Sequence, residues 1–407
     1  MTEDGSGFEG RAWGMATTAL HTGRETTPER ENSPPLFLTS SFRFESAEQA
    51  RAIFAGEEEG NLYSRFTNPT VALFEERVAA LEGAEHAVAS ASGMAAITMT
   101  FLAYLSAGDH VVISRSVFGS TTNIANTLLK RMGIGVTRVP LSDLAAWEAA
   151  ITPATRLFFL ETPANPTLEM VDLEAVCRIA HDRGIRVAVD NVLCTPCLQR
   201  PLELGADLVV HSATKYMDGQ GRVLGGVIAG ERKSLMDQVY PLLRNTGASL
   251  SPFNAWVLFK GLETLPLRME RHCDNAERVA FHLAARPELA GRVLYPGLPD
   301  HPQRELAARQ MRRFGALVCL DLGSQARAHA FLNSLRLAII TANLGDCRTL
   351  STHPATTTHA KLTNAERQAA GITEGLVRLS IGLEEIGDIL ADLDGALERS
   401  GQPVVPL

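Results

Sequence analysis

The sequence predicts an α/β protein in which a mostly parallel central sheet is followed by a smaller α+β domain. Up to Gly230, short apolar strands alternate with helical segments, a pattern typical of a parallel sheet wound with helices. After Gly230, long helices and isolated strands replace that alternation. The chain has 407 residues, of which 45% are hydrophobic, so it is long enough for two domains with large cores.

We predict three regions, namely an N-terminal arm (1–60), an α/β domain (61–255) and a C-terminal α+β domain (256–407). The arm contains Pro34, Pro35 and a stretch rich in serine and threonine, which favours little regular structure. We expect roughly the first 20 residues to be disordered, as chain termini often are. An extended arm of this kind usually packs on something, often another subunit.

Apolar periodicity and capping residues predict the individual elements. Asn68 and Pro69 open the first clear helix, and Gly83 follows its end. Further helices are predicted at 95–105, 123–131, 172–183, 252–265, 269–286, 325–335 and 386–399. Strands are predicted at 111–113, 157–160, 186–191, 208–210, 317–322, 338–341 and 377–381, with another apolar segment at 223–229.

Composition excludes several classes of function. A net charge of −8 does not favour a nucleic-acid or acidic-membrane partner. No run approaches the roughly 20 apolar residues of a membrane-spanning helix, and the polar N-terminus does not resemble a signal peptide. The 6 scattered cysteines are typical of a reduced, cytoplasmic protein. Cys194 and Cys197 form a C-x-x-C pair, but without a second pair we expect no zinc or redox site.

A lysine stands between a predicted strand and a glycine-rich loop. Lys215 follows strand 208–210, and open α/β sheets bind ligands at the carboxyl ends of their strands. Most lysines are solvated surface residues, whereas a partly desolvated lysine has a lowered pKa and can act as a nucleophile. Asp190 ends the preceding strand. A lysine that binds an aldehyde and an aspartate that keeps a ring nitrogen protonated are what pyridoxal phosphate chemistry needs, and this pair favours the second interpretation.

Three further positions suit negatively charged groups. Gly93 and Met94 open an apolar helix, and the free N–H groups of a helix start can bind an anion, although this signal alone is weak. Tyr63 and Arg65 share one face if their segment is extended, which suits a phosphate, but exposed surface residues explain the spacing equally well. Arg378, on the polar face of a strand, is either a surface residue or a ligand for a substrate carboxylate.

Seven motifs resemble the pyridoxal-phosphate-dependent enzymes of cysteine and methionine metabolism. In order they are YSRFTNPT, SASGMAAI, ETPANPT, VAVDN, SATKYMDGQG, LGDCRTLSTHPATTTH and GLVRLSIGLE. The family includes cystathionine γ-synthases, cystathionine lyases, methionine γ-lyases and O-acylhomoserine sulfhydrylases. The resemblance implies the type I fold of these enzymes, pyridoxal 5'-phosphate as cofactor, and cofactor binding by the domain at 61–255.

The resemblance also implies roles for individual residues in cofactor binding. Lys215 would bind the cofactor covalently and later transfer protons, Asp190 would pair with the ring nitrogen, and Asn165 would contact the ring hydroxyl. The phosphate would be held by four residues of the same domain, namely Gly93, Met94, Ser212 and Thr214.

Other implied roles concern the substrate and a second subunit. Tyr63 and Arg65 would reach the phosphate of a neighbouring subunit, which makes a dimer obligatory, and two dimers would form a tetramer. Arg378 would bind the α-carboxylate of the substrate, with Thr349 and Tyr63 close to the substrate.

The chain departs from most of the family at two positions. Phe118 stands where most members have tyrosine; it can stack on the cofactor ring but has no phenol to exchange a proton. Arg348 stands where many lyases and synthases have an acid. Both residues resemble the branch of O-succinylhomoserine sulfhydrylases, and Arg348 could hold the succinyl carboxylate.

The expected activity is therefore the replacement of succinate in O-succinylhomoserine by sulfide, which yields homocysteine for methionine biosynthesis. Cystathionine γ-synthase, with cysteine as the thiol, and O-acetylhomoserine sulfhydrylase remain alternatives. A γ-lyase is less favoured because Phe118 lacks a phenol. A non-catalytic binding protein with the same fold is a further alternative, but Lys215 and Asp190 are both intact, which argues against it.

Overall fold

The computed structural model describes residues 12–23 and 27–401. Its largest element is a seven-stranded sheet with the strand order β1-β7-β6-β5-β4-β2-β3. Strand β7 runs antiparallel to β1 and β6, and the other paired strands of this sheet run parallel. The strands are β1 His86–Ser90, β2 His110–Ser114, β3 Gly135–Val139, β4 Thr155–Glu161, β5 Arg186–Asp190, β6 Leu208–Ser212 and β7 Gly226–Gly230. The predicted α/β fold with a mostly parallel sheet is therefore confirmed.

A second, smaller sheet lies in the C-terminal part of the chain and has the order β10-β11-β12-β9-β8. Its strands are β8 Val293–Leu294, β9 Leu317–Asp321, β10 Ile339–Ile340, β11 Leu350–Thr352 and β12 Leu376–Ser380. All its pairs are antiparallel except β10 with β11. In the sequence, all strands of the large sheet come before position 255/256 and all strands of the small sheet come after it. The boundaries of the three predicted regions stay a prediction.

The helices up to the large sheet's last strand are α1 Met15–His21, α2 Ala47–Ala55, α3 Pro69–Glu82, α4 Gly93–Tyr104, α5 Gly119–Ile124, α6 Leu144–Ala149, α7 Leu173–His181 and α8 Thr195–Leu198. Those that follow are α9 Arg232–Ser234, α10 Tyr240–Thr246, α11 Pro252–Glu263, α12 Leu265–Ala284, α13 Arg304–Gln310, α14 Gln325–Ser334, α15 Asn364–Ala369 and α16 Ile386–Gly401. The Asn68 side chain caps α3, and Gly83 ends it with a positive φ of 71°, as the sequence predicts.

The expectation for the N-terminal arm is partly wrong. Helices α1 and α2 give it regular structure, and the expected disorder does not hold for Met15–His21, whereas residues 1–11 lie outside the described part of the chain. Helix α1 packs against α3, α11 and α12, and Ala19 is fully buried in a hydrophobic core. Burial of apolar surface against these helices offsets the conformational entropy that a free terminus would keep.

Helix α12 connects the two sheets. Its first half contributes Leu265 and Met269 to the core that also contains residues of the large sheet, and its second half contributes Val279 and Leu283 to the core under the small sheet. It starts at Leu265, four residues before the predicted start, because Pro266 fits the first turn of a helix. No helix of the described residues is both long and apolar enough to cross a membrane.

Candidate active site

Nine of the thirteen site residues that the sequence predicts line a single cavity of about 240 Å³. We call it the lysine cavity, after Lys215. Those nine residues are Gly93, Met94, Phe118, Asn165, Asp190, Ser212, Thr214, Lys215 and Arg378. They come from the carboxyl ends of the large sheet's strands and from β12 of the small sheet, so the cavity lies where ligands bind in open α/β folds.

The parallel register of three strands brings the acidic residues of the cavity together. Glu161 ends β4 and lies beside Asp190, which ends β5, and Asp190 in turn lies beside Val210 of β6. Ser212 is the last residue of β6, and the chain then turns so that Lys215 follows at the same edge. The strands themselves consist mainly of buried apolar residues, and the polar residues stand at their carboxyl ends.

Lys215 is a partly desolvated amine rather than a solvated surface lysine. Its Nζ donates a hydrogen bond of 2.5 Å to Oδ1 of Asn343. Burial, and next the positive charge of Arg378, lower the pKa of Lys215 to about 8. Near neutral pH a larger fraction of this amine than of a solvated lysine is therefore unprotonated, and an unprotonated amine can act as a nucleophile or a base.

Asp190 is buried, and burial raises its pKa to about 6, although the N–H of Val192 and the nearby His211 act in the opposite direction. Behind it, Nε2 of His211 lies 2.5 Å from Oε1 of the fully buried Glu82. A positively charged group in the cavity would favour the ionised form of Asp190. This aspartate can therefore hold a protonated ring nitrogen.

Glu161 lines the same cavity and was not assigned a role from the sequence. Its Oε2 accepts a hydrogen bond of 2.9 Å from the N–H of Phe118, and its Oε1 accepts one of 3.2 Å from the N–H of Asn165. Burial, and next the charge of Asp190, raise the pKa of Glu161 well above its usual value. Glu161 thus joins the loops that follow β2 and β4, and these loops carry Phe118 and Asn165.

The start of helix α4 closes tightly on the end of β6. A Cβ atom added to Gly93 would lie 2.5 Å from the Cβ of Ser212, so only glycine allows this approach. The Ser92 side chain accepts a hydrogen bond from the N–H of Ala95. The first N–H groups of a helix have no partner within it, and those of Gly93 and Met94 start this helix at the cavity wall.

Arg378 is buried rather than a surface residue, with 1% of its surface exposed. Its Nη1 donates a hydrogen bond of 3.0 Å to Oδ1 of Asn165, and its Nη2 donates one of 2.7 Å to the carbonyl of Asn343. Its buried Nε has no hydrogen-bond partner among the described residues. Arg378 lines the lysine cavity, and a buried guanidinium at a cavity wall can bind a ligand carboxylate.

With this geometry established, the family follows from comparison with known proteins. A sequence model of the family "Cys/Met metabolism PLP-dependent enzyme" matches residues 16–398. The chain belongs to this family. Pyridoxal phosphate is therefore its cofactor, and the type I fold that the motifs imply is confirmed.

Individual relatives within the family differ in activity. O-succinylhomoserine sulfhydrylase from Pseudomonas aeruginosa is 53% identical over 389 residues, which cover 95% of this chain and 96% of that protein. L-methionine gamma-lyase from Fusobacterium nucleatum subsp. polymorphum is 46% identical, covering 96% of this chain and 100% of that protein. The structure of a putative O-acetylhomoserine (thiol)-lyase from Campylobacter jejuni, which contains N'-pyridoxyl-lysine-5'-monophosphate, matches with a TM-score of 0.91 and 34% identity, covering 95% of this chain and all of that one.

The lysine cavity fits the cofactor of this family. Pyridoxal phosphate needs an amine for its aldehyde, an acid for its ring nitrogen and donors for its phosphate. Lys215 and Asp190 provide the first two at one edge of the sheet. The tight contact of Gly93 with Ser212 brings a helix start beside a serine hydroxyl, and such a site suits a phosphate.

Tyr63 and Arg65 do not line the lysine cavity. They line a separate, more open cavity with residues of the arm and with 249–252, and Tyr63 is 43% exposed. The segment is a turn rather than extended, since the N–H groups of Phe66 and Thr67 both donate to the carbonyl of Tyr63. The prediction that these two residues share the face of an extended segment is therefore wrong, while a role toward another subunit stays a prediction.

Arg348 and Thr349 also lie outside the residues that line the lysine cavity. The side chain of Arg348 is 61% exposed and forms a two-pronged ion pair with Asp346 at 2.9 and 3.0 Å. Thr349 is buried, and its hydroxyl donates to Glu384 and accepts from the N–H of Gly382. In this arrangement both residues stabilise the loop after β10.

The most informative residue that the sequence analysis missed is Asn343, which contacts both Lys215 and Arg378. It lies in an irregular segment after the two-residue strand β10, and neither periodicity nor a local motif separates it from an ordinary loop asparagine. Glu161 gave a weak signal, because it follows the predicted strand 157–160 and opens the ETPANPT motif. Its role depends on the register of β4 with β5.

Proposed function

We propose that this chain is an O-succinylhomoserine sulfhydrylase, which replaces the succinate of O-succinylhomoserine with sulfide and releases homocysteine. Membership of the pyridoxal-phosphate family supports this class of chemistry, and the 53% identical relative supports this particular reaction. Three alternatives exist within the family. A cystathionine γ-synthase uses cysteine as the thiol, an O-acetylhomoserine sulfhydrylase uses another acyl ester, and a γ-lyase eliminates the γ-substituent without replacing it. The expectation of a cytoplasmic enzyme belongs to the same proposal.

Three residues of the lysine cavity have defined tasks in this reaction. Bound pyridoxal phosphate supplies a protonated ring that withdraws electrons from the substrate's α-carbon. Asp190 holds the proton on the ring nitrogen, and the buried guanidinium of Arg378 at the cavity wall binds the α-carboxylate. Lys215, whose pKa is lowered to about 8, takes the α-proton as a general base and returns protons later.

The observation that carries the proposal is the identity of the aromatic residue at the cavity wall. Phe118 lines the cavity where most of the family has tyrosine, and its N–H is tied to Glu161. A phenyl ring can stack on the cofactor and exclude water, but it cannot donate or accept a proton. Proton transfer at the substrate therefore falls to Lys215. Because the cavity wall has no phenol as a second proton-transfer group, we expect replacement of the γ-substituent by a thiol to be favoured over elimination.

Product analysis tests this proposal directly. Purified protein with O-succinylhomoserine and sulfide should release homocysteine and succinate in equal amounts. Parallel reactions with O-acetylhomoserine, and with cysteine in place of sulfide, separate the sulfhydrylases from a cystathionine γ-synthase. A protein without visible cofactor absorbance and without turnover of any of these substrates would support a non-catalytic binding protein instead.

A γ-lyase is the second candidate, because the methionine γ-lyase of Fusobacterium nucleatum is 46% identical over nearly the whole chain. A γ-lyase converts its substrate to a 2-oxo acid and ammonia and needs no thiol acceptor. The ratio of 2-oxobutyrate to homocysteine in the presence of sulfide decides between the two. Methanethiol release from methionine as the fastest reaction would overturn the sulfhydrylase proposal.

We further propose that Tyr63 and Arg65 serve the cofactor phosphate of a neighbouring subunit in a dimer, and that two dimers form a tetramer. Their distance from the chain's own cavity supports this, because both residues line a separate, open surface cavity. Arg65 also lies over the ring of Phe66, 4.4 Å from its centre. That contact and a hydrogen bond from Nη1 of Arg65 to the carbonyl of Arg244 hold the guanidinium in place.

Mixing two inactive variants tests the shared site. Arg65→Ala and Lys215→Ala each disable a different half of the site if the two halves come from different subunits. Co-refolded mixtures should then regain activity, because a hybrid dimer contains one site with both residues intact. Mixtures as inactive as the separate variants, despite formation of hybrid dimers, would contradict the proposal.

A further inference from the structure

The segment between β10 and β11 enters the lysine cavity and is held in place on both sides. Before it, the N–H of Ile339 donates to the carbonyl of Thr349, and the N–H of Thr341 donates to that of Ser351. After Asn343, the N–H of Gly345 donates to the hydroxyl of Ser380 at 2.9 Å. These bonds fix Asn343 between two anchored points rather than leaving it on a free loop.

Gly345 brings this segment close to the backbone next to Lys215. A Cβ atom at Gly345 would lie 2.8 Å from the backbone nitrogen of Tyr216, and the φ of Gly345 is +75°. Both its conformation and the lack of space therefore require glycine. As a result, Asn343 reaches the lysine side chain from the small sheet's side of the cavity.

Asn343 contacts two functional groups with two different parts of its structure. Its side-chain oxygen accepts a hydrogen bond of 2.5 Å from Nζ of Lys215, whereas its backbone carbonyl accepts one of 2.7 Å from Nη2 of Arg378. Arg378 is also tied to Oδ1 of Asn165 at 3.0 Å. The same residue thus touches both the amine that would move protons and the cation that would bind the substrate carboxylate.

We propose that Asn343 is a positioning residue, which holds the amine of Lys215 with its side chain and the guanidinium of Arg378 with its backbone carbonyl. It thereby sets the distance between the amine that transfers protons and the guanidinium that binds the substrate carboxylate. This inference rests on the roles of Lys215 and Arg378 proposed above. Besides Arg378, the charged and titratable side chains that share the cavity with Lys215 are Asp190 on β5 and Glu161 on β4.

The side chain of Asn343 can be tested separately from its backbone. A hydrogen-bond acceptor favours the charged form of an amine, and a carboxylate favours it more. Asn343→Leu should therefore lower the pKa of Lys215, and Asn343→Asp should raise it by about one unit or more. The rate at which cofactor-free protein captures pyridoxal phosphate, followed by absorbance across pH, reports this pKa, because only the neutral amine attacks the aldehyde.

The wild-type capture rate should rise with pH to a midpoint near the lowered pKa of about 8. The midpoint should move to lower pH in Asn343→Leu and to higher pH in Asn343→Asp. Asn333→Asp is the matched control, since Asn333 is exposed on helix α14 and does not line the lysine cavity. Its midpoint should equal that of the wild type.

Steady-state kinetics provide the second readout. Asn343→Leu leaves the backbone carbonyl that Arg378 contacts and adds no charge, so KM for the amino-acid substrate should change little in this variant. Loss of a positioned proton-transfer group should lower kcat by about 10- to 100-fold. Equal losses in kcat and affinity together with a lower Tm indicate a merely structural role and overturn the proposal.

An unchanged capture midpoint in both variants at 343 likewise overturns it. That failure differs from a failure of the assigned lysine. If Lys215→Ala still captures the cofactor and turns over substrate, the role of Lys215 itself is wrong. If only Lys215→Ala is inactive while both variants at 343 behave as wild type, the lysine's role stands and the role of Asn343 is refuted.

Discussion

Arg378 lies on β12 of the small sheet and Arg348 lies in the loop before β11. Both were predicted to bind a carboxylate, yet the structure surrounds them differently. Arg378 has 1% of its surface exposed, and its hydrogen-bond partners are the neutral oxygens of Asn165, Ala342 and Asn343. Arg348 is 61% exposed and already paired with the carboxylate of Asp346. A buried cation bonded only to neutral oxygens keeps its charge for a ligand, whereas an exposed cation in an ion pair does not.

The same contrast separates the lysine cavity as a whole from the residues outside it. Substitutions of cavity residues should affect catalysis strongly, and substitutions at the surface loop should affect it weakly. The difference between these two sets of kinetic effects can be measured with single substitutions.

The largest effect is expected for Lys215→Ala. Removing the amine removes both the covalent attachment of the cofactor and the general base, and the base alone is worth about 10²- to 10⁴-fold in rate. Turnover should therefore be lost, together with the absorbance of the lysine-bound cofactor. Circular dichroism should show an unchanged fold. Activity retained in this variant would remove the basis for placing the reaction in this cavity.

The next largest effect is expected for Arg378→Lys. An ammonium cannot reproduce the planar fork that binds a carboxylate and contacts Asn165 at the same time. The value of kcat/KM for O-succinylhomoserine should fall by about 10- to 100-fold, as expected for lost charge-assisted hydrogen bonds. Arg348→Lys is the matched control and should stay near wild type. Equal losses in both variants would contradict the distinction between buried and exposed arginine.

A smaller effect is expected for Phe118→Tyr, which adds a phenol to the cavity wall without changing the ring. A second group able to exchange protons should increase elimination relative to replacement. The ratio of 2-oxobutyrate to homocysteine should rise several-fold while total turnover of O-succinylhomoserine changes little. Mass spectrometry of both products measures this ratio. An unchanged ratio would show that Phe118 does not decide between replacement and elimination.

The smallest effect is expected for Arg348→Ala. Because Arg348 is exposed and paired with Asp346, its loss should change KM for O-succinylhomoserine by less than about threefold. O-acetylhomoserine, which lacks the second carboxylate, serves as the control substrate. A large rise of KM for the succinyl ester alone would support the role in holding the succinyl carboxylate, and the contrast between Arg348 and Arg378 would then fail.

The sequence by itself determined the α/β fold, because apolar strands, capping residues such as Asn68 and glycine turns are local signals. It also identified Lys215 and Asp190, since Asp190 ends one apolar strand, Lys215 follows another, and the carboxyl ends of parallel strands share one edge of the sheet. Gly93 could be found because it stands in the SASGMAAI motif, and Phe118 because it replaces the tyrosine of most of the family.

Only the tertiary structure decided which of the other polar residues face the cavity. Arg378 stands in a predicted strand and Arg348 in a predicted loop, but the burial of each depends on the distant segments that pack around it. Asn343 contacts a lysine 128 positions away, and such a contact leaves no periodic or capping signal. Pairings between distant segments follow from packing and strand register, which a single chain's local pattern does not contain.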